Sequence, residues 1–232
     1  MAPAEPAETA ETDAENTSPV KIHTCLISYN RLELTKQAIQ SYLETVSVPH
    51  TLVVVDNGSE WETQEWLLNE YDFGVCLLSK NRYPGFACNR GWERAPADAD
   101  FLHRADNDFR FLPGWCEEVA MRFRRPNVGQ VGLRTDEEED AQGNGRWNVG
   151  GNCVIRRSLW DKGLRYDERP WYRLPPGYSE DSFLSPAVEE MGYRWVRVKR
   201  PCIVDLSSGD LADPYYQKTY GDRHILPTPD GS

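Results

Sequence analysis

The sequence lacks the features of a membrane-spanning or secreted chain. No apolar run approaches the roughly 20 residues that a helix needs to cross a bilayer. The amino terminus has neither the basic start nor the apolar centre of a signal peptide. The six cysteines are far apart and form no C-x-x-C pair, which favours buried free thiols over disulfides or a metal centre. These absences predict a cytoplasmic protein with no stable membrane insertion.

Positive charge is also scarce. The net charge is −11, and residues 1–19 carry five acids and no base, which leaves −6 on residues 20–232. Broad nucleic-acid binding depends on many Lys and Arg side chains against phosphates, so this balance argues against it. We interpret residues 1–19 as a disordered acidic tail. The acid run from Asp136 to Asp140 is most simply a solvated loop.

Two glycine-rich phosphate-binding motifs are missing. The chain has no G-x-x-x-x-G-K-[ST] loop, and no G-x-G-x-x-G turn follows its first apolar segment. The sequence therefore indicates neither a P-loop NTPase nor a dinucleotide-binding Rossmann domain.

What is present is an alternation of strand and helix patterns. Buried strands are predicted for "VKIHTCLIS", "LVVVD", "VCLLS" and "DFLHRAD". Between them, "RLELTKQAIQSYLETV", "EWETQEWLLNEY" and "PGFACNRGWERA" are helical patterns. Continuous apolar strands between amphipathic helices predict an α/β fold with a parallel sheet covered on both faces. Further along, "VGQVGLRT" and "NVGGNCVI" are predicted strands, and a helix is predicted after Ser179 as its N-cap.

Polar residues follow each of the first four predicted strands. In parallel sheets the ligand lies beyond the carboxyl ends of the strands, so we expect these side chains to meet at one rim. The residues are Tyr29, Asn30, Asp56, Asn57, Asn81, Arg82, Asp106 and Asp108.

Asp106 and Asp108 have the Asp-x-Asp spacing at a strand end. Their carboxylates suit a hard divalent cation, Mg²⁺ or Mn²⁺, shared with substrate phosphates. The same spacing is also common in turns, where Arg104 and Arg110 would neutralise the acids. The spacing alone leaves both interpretations open.

Six segments together resemble the family 2 glycosyltransferases, which have the GT-A fold. They are "HTCLISYNRLELTKQAI", "LVVVDNGS", "NRYPGFACNRGWERA", "FLHRADNDFRFLPGW", "GGNCVIRRSLWDKGLRYDE" and "SEDSFLSPAVEEMGYRW", in the family's order and spacing from about Lys21 to Val198. The resemblance implies a Rossmann-like GT-A domain with a mostly parallel central sheet flanked by helices.

The resemblance also implies roles for individual residues. Ile27 and Tyr29 would edge the nucleotide-base pocket, Asp56 would hydrogen-bond the base, and Arg82 would lie near the base or pyrophosphate. Asp106 would lie near the ribose or metal, Asp108 would bind the metal, and Asp181 would be the catalytic base.

Two assignments that the resemblance suggests stay open. Many family members have a histidine after the final strand, where this chain has Asp205; Asp205 is therefore the candidate third metal ligand, and His224 is its rival. The pair Glu180 and Asp181 also has a structural interpretation, because acids in a first helical turn are favoured by the helix dipole.

The resemblance implies an inverting glycosyltransferase that moves a sugar from a UDP-, GDP- or dTDP-sugar to an acceptor hydroxyl. A glycan is the expected acceptor, and Mn²⁺ or Mg²⁺ is the expected cofactor. One alternative is an enzyme of the same kind acting on hydroxymethylated DNA bases, which would make nucleic acid a partner only as a modified-base substrate. Another is a non-catalytic nucleotide- or glycan-binding module. The predicted divisions are 1–19 (tail), 20–205 (GT-A domain, with a nucleotide-sugar half 20–108 and an acceptor half 109–205) and 206–232 (C-terminal extension).

Overall fold

The structure is a computed structural model that describes residues 20–70, 73–141 and 148–207. The predicted acidic tail, His224 and nearly all of the predicted C-terminal extension lie outside the described residues. The division at residue 108 into two functional halves stays a prediction.

The strands of the described residues form one seven-stranded sheet and one two-stranded ribbon. The sheet order is β3-β2-β1-β4-β7-β6-β8, and the ribbon pairs β5 with β9. The strands are β1 (Ile22–Ser28), β2 (His50–Asp56), β3 (Gly74–Leu77), β4 (Phe101–Asp106), β5 (Phe109–Phe111), β6 (Val128–Gly132), β7 (Cys153–Arg156), β8 (Arg194–Arg197) and β9 (Ile203–Asp205).

The first four strands are parallel, as their apolar runs predicted. β1 lies between β2 and β4, and its carboxyl end is in register with both: Ser28 pairs with Asp56, and Ile27 pairs with Asp106. Every residue of β1 is buried, which is typical of a central strand covered on both faces. The ends of these strands therefore bring their following residues to one rim.

β7 interrupts the parallel arrangement. It is antiparallel to both β4 and β6, while β8 is again parallel to β6. Because Cys153 pairs with Arg104 near the end of β4 and with Gly132 at the end of β6, β7 begins at the rim where these two antiparallel neighbours end. The residues just before β7 thus reach the same rim as the polar residues after β1, β2 and β4.

Helices cover both faces of the sheet. They are α1 (Leu32–Thr45), α2 (Trp61–Glu70), α3 (Tyr83–Trp92), α4 (Trp115–Phe123), α5 (Asp136–Ala141), α6 (Arg157–Asp161) and α7 (Leu184–Glu190), with short 3₁₀ turns at Trp171–Arg173 and Glu180–Phe183.

The acid run at residues 136–140 is helical, so its interpretation as a loop was wrong. Thr135 and Glu138 form a reciprocal cap: the Thr135 amide donates to Glu138 Oε2 at 2.6 Å, and the Glu138 amide donates to Thr135 Oγ1 at 3.2 Å. This capping box satisfies amides at the start of α5, and the acids of its first turn suit the positive end of the helix dipole.

The apolar core lies on both sides of the sheet. Trp115 and Tyr42 are fully buried on one side, and Trp92 is fully buried on the other. All six cysteines are free, and five of them are buried, which confirms the prediction of buried thiols. In the part of the chain that the structure describes, none of the helices combines the length and the apolar character needed to cross a bilayer.

Candidate active site

A cavity of about 290 Å³ opens at the carboxyl-end rim of β1 and β4. It brings together five of the predicted site residues, although they come from distant parts of the chain. These residues are Ile27, Tyr29, Asp106, Asp108 and Asp181.

Asp106 is fixed from two sides at the end of β4. The Arg104 Nε donates to Asp106 Oδ1 at 3.1 Å. From the other side, the Asn152 side chain accepts a hydrogen bond from the Asp106 amide at 3.1 Å and donates to Asp106 Oδ2 at 3.3 Å. The Asp106 carboxylate is therefore held in one orientation at the cavity wall.

Asp108 pairs with Arg31, whose Nη1 lies 3.1 Å from Asp108 Oδ2. Arg31 and its neighbour Asn30 both have left-handed backbone conformations, with φ of 52° and 51°. Such conformations cost free energy in non-glycine residues and persist where the surroundings enforce them. Here the Asn30 carbonyl accepts a hydrogen bond from the Asn107 side chain, and its side chain accepts one from the Glu60 amide.

The electrostatics of this corner favour a bound cation. Desolvation, followed by the nearby carboxylates of Asp106 and Asp205, raises the pKa of Asp108 to about 6, against the lowering effect of Arg31. Carboxylate oxygens that lie this close together are the kind of ligand that Mg²⁺ and Mn²⁺ prefer. Asp106 and Asp108 therefore fit a divalent cation.

Asp205 lies close to this pair but already has partners for both oxygens. Its Oδ2 accepts from Arg134 Nη2 at 2.9 Å, and its Oδ1 accepts from the amide and hydroxyl of Ser207. Among the described residues, no group of three or more His, Cys, Asp or Glu side chains is arranged to hold a metal ion. His224, the rival third ligand, lies outside the described residues.

Asp181 stands on the opposite wall, in the 3₁₀ turn that precedes α7. Ser179 is the N-cap of this turn, as predicted, and forms a capping box with Ser182. The Ser179 hydroxyl also donates to the Asp181 carboxylate. Desolvation and the adjacent Glu180 raise the pKa of Asp181 to about 6, while Arg104 and Ser179 lower it.

Two predicted nucleotide residues do not line the cavity. Asp56 is fully buried, and its Oδ1 accepts hydrogen bonds from the amides of Gly58 and Ser59 at 3.2 and 2.9 Å. Its carboxylate thus stabilises the turn after β2, and the adjacent Asn57 reaches the cavity instead. Arg82 is exposed beside α3 with its guanidinium over the Phe86 ring, 4.3 Å from the centroid.

A second cavity of about 240 Å³ adjoins the first and shares Asp106, Phe109, Ser179 and Asp181 with it. Its remaining lining is mostly polar and includes Arg134, Glu139, Asn148 and Asn152. Asp181 therefore stands between two connected spaces, a position suited to a group that acts on two substrates.

Sequence reasoning missed several residues of this site. Asn152 precedes a strand, whereas polar groups of the rim were predicted only after strands. Arg31 was not predicted, because its partner Asp108 is far away in the chain. The pairing of Arg104 with Asp106 was one of the two open interpretations and is present in the structure, but the ion pair of Arg104 with Glu180 joins residues far apart in the chain. Burial of Arg104 within the apolar segment "FLHRAD" was the one available signal.

Most of the site falls within a match to a known family, although Ser179, Glu180 and Asp181 lie beyond the end of the matched range. The family model described as glycosyl transferase family 2 matches residues 24–175. The chain belongs to glycosyl transferase family 2. This membership and the sheet described above confirm the prediction of a GT-A fold.

Individual relatives are distant. The O-antigen biosynthesis protein RfbC of Myxococcus xanthus is 23% identical over 178 residues, which are 75% of this chain and 13% of RfbC. The structure of the mannosyltransferase PcManGT from Pyrobaculum calidifontis with GDP-Man and Mn²⁺ is similar with a TM-score of 0.61 at 18% identity, covering 79% of this chain and 55% of that one. S. aureus TarS 1–349 with UDP-GlcNAc gives 0.58 at 16% identity, covering 79% and 58%. The chain thus spans only part of each relative's length.

Proposed function

We propose that this family 2 glycosyltransferase moves a sugar from a nucleotide-diphosphate donor to an acceptor hydroxyl with inversion at the anomeric carbon. The observation that carries the proposal is the common cavity of Asp106, Asp108 and Asp181. Two carboxylates that could bind a cation line the same cavity as a carboxylate of raised pKa, so both the leaving group and the nucleophile could be assisted within one space.

The donor would lie against the ends of β1 and β4. Ile27 and Tyr29 line the cavity and would contact the base, while Asp56 holds the turn that presents Asn57. A direct contact of Asp56 or Arg82 with the nucleotide would require those side chains to leave their present partners. The solved relatives named above were crystallised with GDP-Man and UDP-GlcNAc, which supports a nucleotide-sugar donor for this fold.

Asp106 and Asp108 would hold Mn²⁺ or Mg²⁺. When bound, the cation would supply positive charge for the nucleoside diphosphate as it departs. PcManGT was solved with Mn²⁺, which supports this cofactor class. Asp205 would join as a third ligand only by giving up its ion pair with Arg134.

Asp181 would act as the general base. A base of pKa near 6 is mostly ionised at neutral pH and can take the proton of the attacking hydroxyl. The acceptor would enter from the second cavity, whose polar lining suits a hydroxylated compound such as the end of a glycan. The attacking oxygen would then reach the sugar from the side opposite the diphosphate.

The test is a panel of UDP-, GDP- and dTDP-sugars incubated with Mn²⁺ or with EDTA, assayed for release of the nucleoside diphosphate. We expect one donor class to be consumed only with the metal, and expect Asp181→Asn to lower kcat by about 10²–10⁴-fold, the usual range for loss of a general base. Asp161→Asn, an exposed acid paired with Arg157, is the matched control and should keep wild-type activity. Binding of nucleotide without turnover of any donor would favour a non-catalytic module, and transfer to hydroxymethylated DNA would replace the glycan as acceptor.

A further inference from the structure

Arg104 is a charged residue in the middle of the sheet. It lies in β4, in register with Cys25 of β1 and Cys153 of β7, and its side chain is only 4% exposed. Burying a guanidinium is costly unless carboxylates pair with it and satisfy its hydrogen bonds. The partners of Arg104 should therefore show why the fold accepts this cost.

Arg104 joins the two walls of the active-site cavity. Its Nε lies 3.1 Å from Asp106 Oδ1 on the donor wall, and its Nη2 lies 3.0 Å from Glu180 Oε1 on the wall that carries Asp181. Glu180 is itself buried, with its side chain 9% exposed. One planar guanidinium thus ties the candidate metal carboxylate to the neighbour of the candidate base.

Two neighbours pack closely against the guanidinium. The Tyr166 ring lies beneath it, with the centroid 4.9 Å from Cζ. Gly151 passes so close that a Cβ there would lie 2.8 Å from both Arg104 Nη2 and Asp106 Oδ2. These contacts therefore hold the Arg104 side chain in place, unlike a mobile charge on the surface.

We propose that Arg104 is a positioning residue that sets the placement of the Glu180–Asp181 segment relative to Asp106; this inference rests on the proposed function. Transfer requires the acceptor proton to be removed while the diphosphate departs, so base and donor must be held in one geometry. A displacement of about 1 Å between reacting groups can lower a rate by about 100-fold. Lysine would be a poor substitute, because an ammonium is a point charge without the planar fork that contacts both carboxylates.

The test compares Arg104→Met, Arg104→Lys and Glu180→Gln with Arg156→Met. Arg156 is a matched control, because it is a half-buried arginine of β7 that donates to the carbonyls of Val128 and Phe123, away from both cavities. We expect Arg104→Met to lower kcat by about 100-fold with a much smaller change in donor KM, and Arg104→Lys to recover part of that loss. Arg156→Met should lower stability and leave kcat unchanged.

Two further measurements decide the outcome. The double variant Arg104→Met with Glu180→Gln should be no slower than Arg104→Met alone, because both changes remove the same link. Amide hydrogen exchange at residues 179–184 should accelerate in Arg104→Met and not in Arg156→Met. Multiplying effects in the double variant, or unchanged exchange in that segment, would overturn the proposal. Exchange needs no turnover, so it still tests Arg104 if the wild-type protein consumes no donor, a result that would count against the proposed function alone.

Discussion

The Asp181 carboxyl group should set the acid limb of the activity profile. Its ionised form is needed to accept a proton, and burial together with Glu180 raises its pKa to about 6. The fraction of active enzyme therefore falls as pH drops through 6, well above the 3.8 of an ordinary aspartate. We expect kcat measured between pH 4.5 and 8 to halve near pH 6.

Ser179 offers a direct check of that assignment. Its hydroxyl donates to the Asp181 carboxylate and so stabilises the ionised form, which lowers the pKa. Ser179→Ala should shift the acid limb to higher pH, while Glu180, Arg104 and Asp106, the other charged groups near Asp181, stay unchanged. An acid limb that does not move in this variant would assign the titration to a different group.

The sequence predicted the acidic residues of the candidate site better than it predicted the side chains that contact them. The spacing of Asp106 and Asp108 and their strand-end position were legible, and the resemblance added Asp181. The Arg104–Asp106 pair was one of the predicted alternatives, but Asn152 and the link from Arg104 to Glu180 were not predicted, because they depend on contacts that only the folded sheet creates. Asp56 ends β2 as expected, and its carboxylate accepts hydrogen bonds within its own turn; its contact with a nucleotide base stays a prediction.

Helix α3 depends on a close approach to β1. A Cβ added to Gly91 would lie 2.2 Å from Cys25 Sγ and 2.7 Å from Cys25 Cβ, so the helix or the strand would have to shift. Such overpacking costs about 1–3 kcal/mol. We expect Gly91→Ala to lower the free energy of unfolding by about that amount in urea denaturation.

Gly74, the first residue of β3, is the control for this glycine-to-alanine substitution. A Cβ there would meet its nearest atom, Val53 Cγ2, at 3.7 Å, which is ordinary contact. Gly74→Ala should change the free energy of unfolding by less than about 0.5 kcal/mol. Equal losses in the two variants would mean that the tight packing of α3 on β1 does not account for the effect.

The elements that the sequence predicted correctly have a simple pattern of side chains. β1, β2 and β4 are short segments rich in apolar residues, and α1 repeats its apolar residues at helical spacing. The direction of β7 could not be read in this way, because an apolar strand looks the same from either end. The start of α5 was written in the sequence as Thr135 and Glu138, but the density of acids suggested a loop.

For the molecule as a whole, ligand binding should appear as heat stability. A ligand that binds only the folded state at 100 times its Kd adds about 2.7 kcal/mol. In a domain of this size each kcal/mol raises Tm by about 2–4 °C. We therefore expect Mn²⁺ together with the matching nucleoside diphosphate to raise Tm by about 5–10 °C.

The control for this shift is Asp108→Asn, which removes one of the two carboxylates that could bind the cation. The variant should fold, because it relieves repulsion with Asp106 and Asp205, and its Tm should respond to neither ligand. A full shift in this variant, or a full shift of the wild type in EDTA, would contradict a role for Asp108 in holding the metal.

The reversal of β7 affects how substrate choice can change in this protein. The chain enters β7 beside Asp106, so a residue inserted or exchanged just ahead of Gly151 arrives at the mouth of the catalytic space. A similar change just before β1 would lie at the opposite edge of the sheet. Changes in the one short segment before β7, whether natural or engineered, could therefore alter acceptor choice without changing the residues proposed to bind the donor.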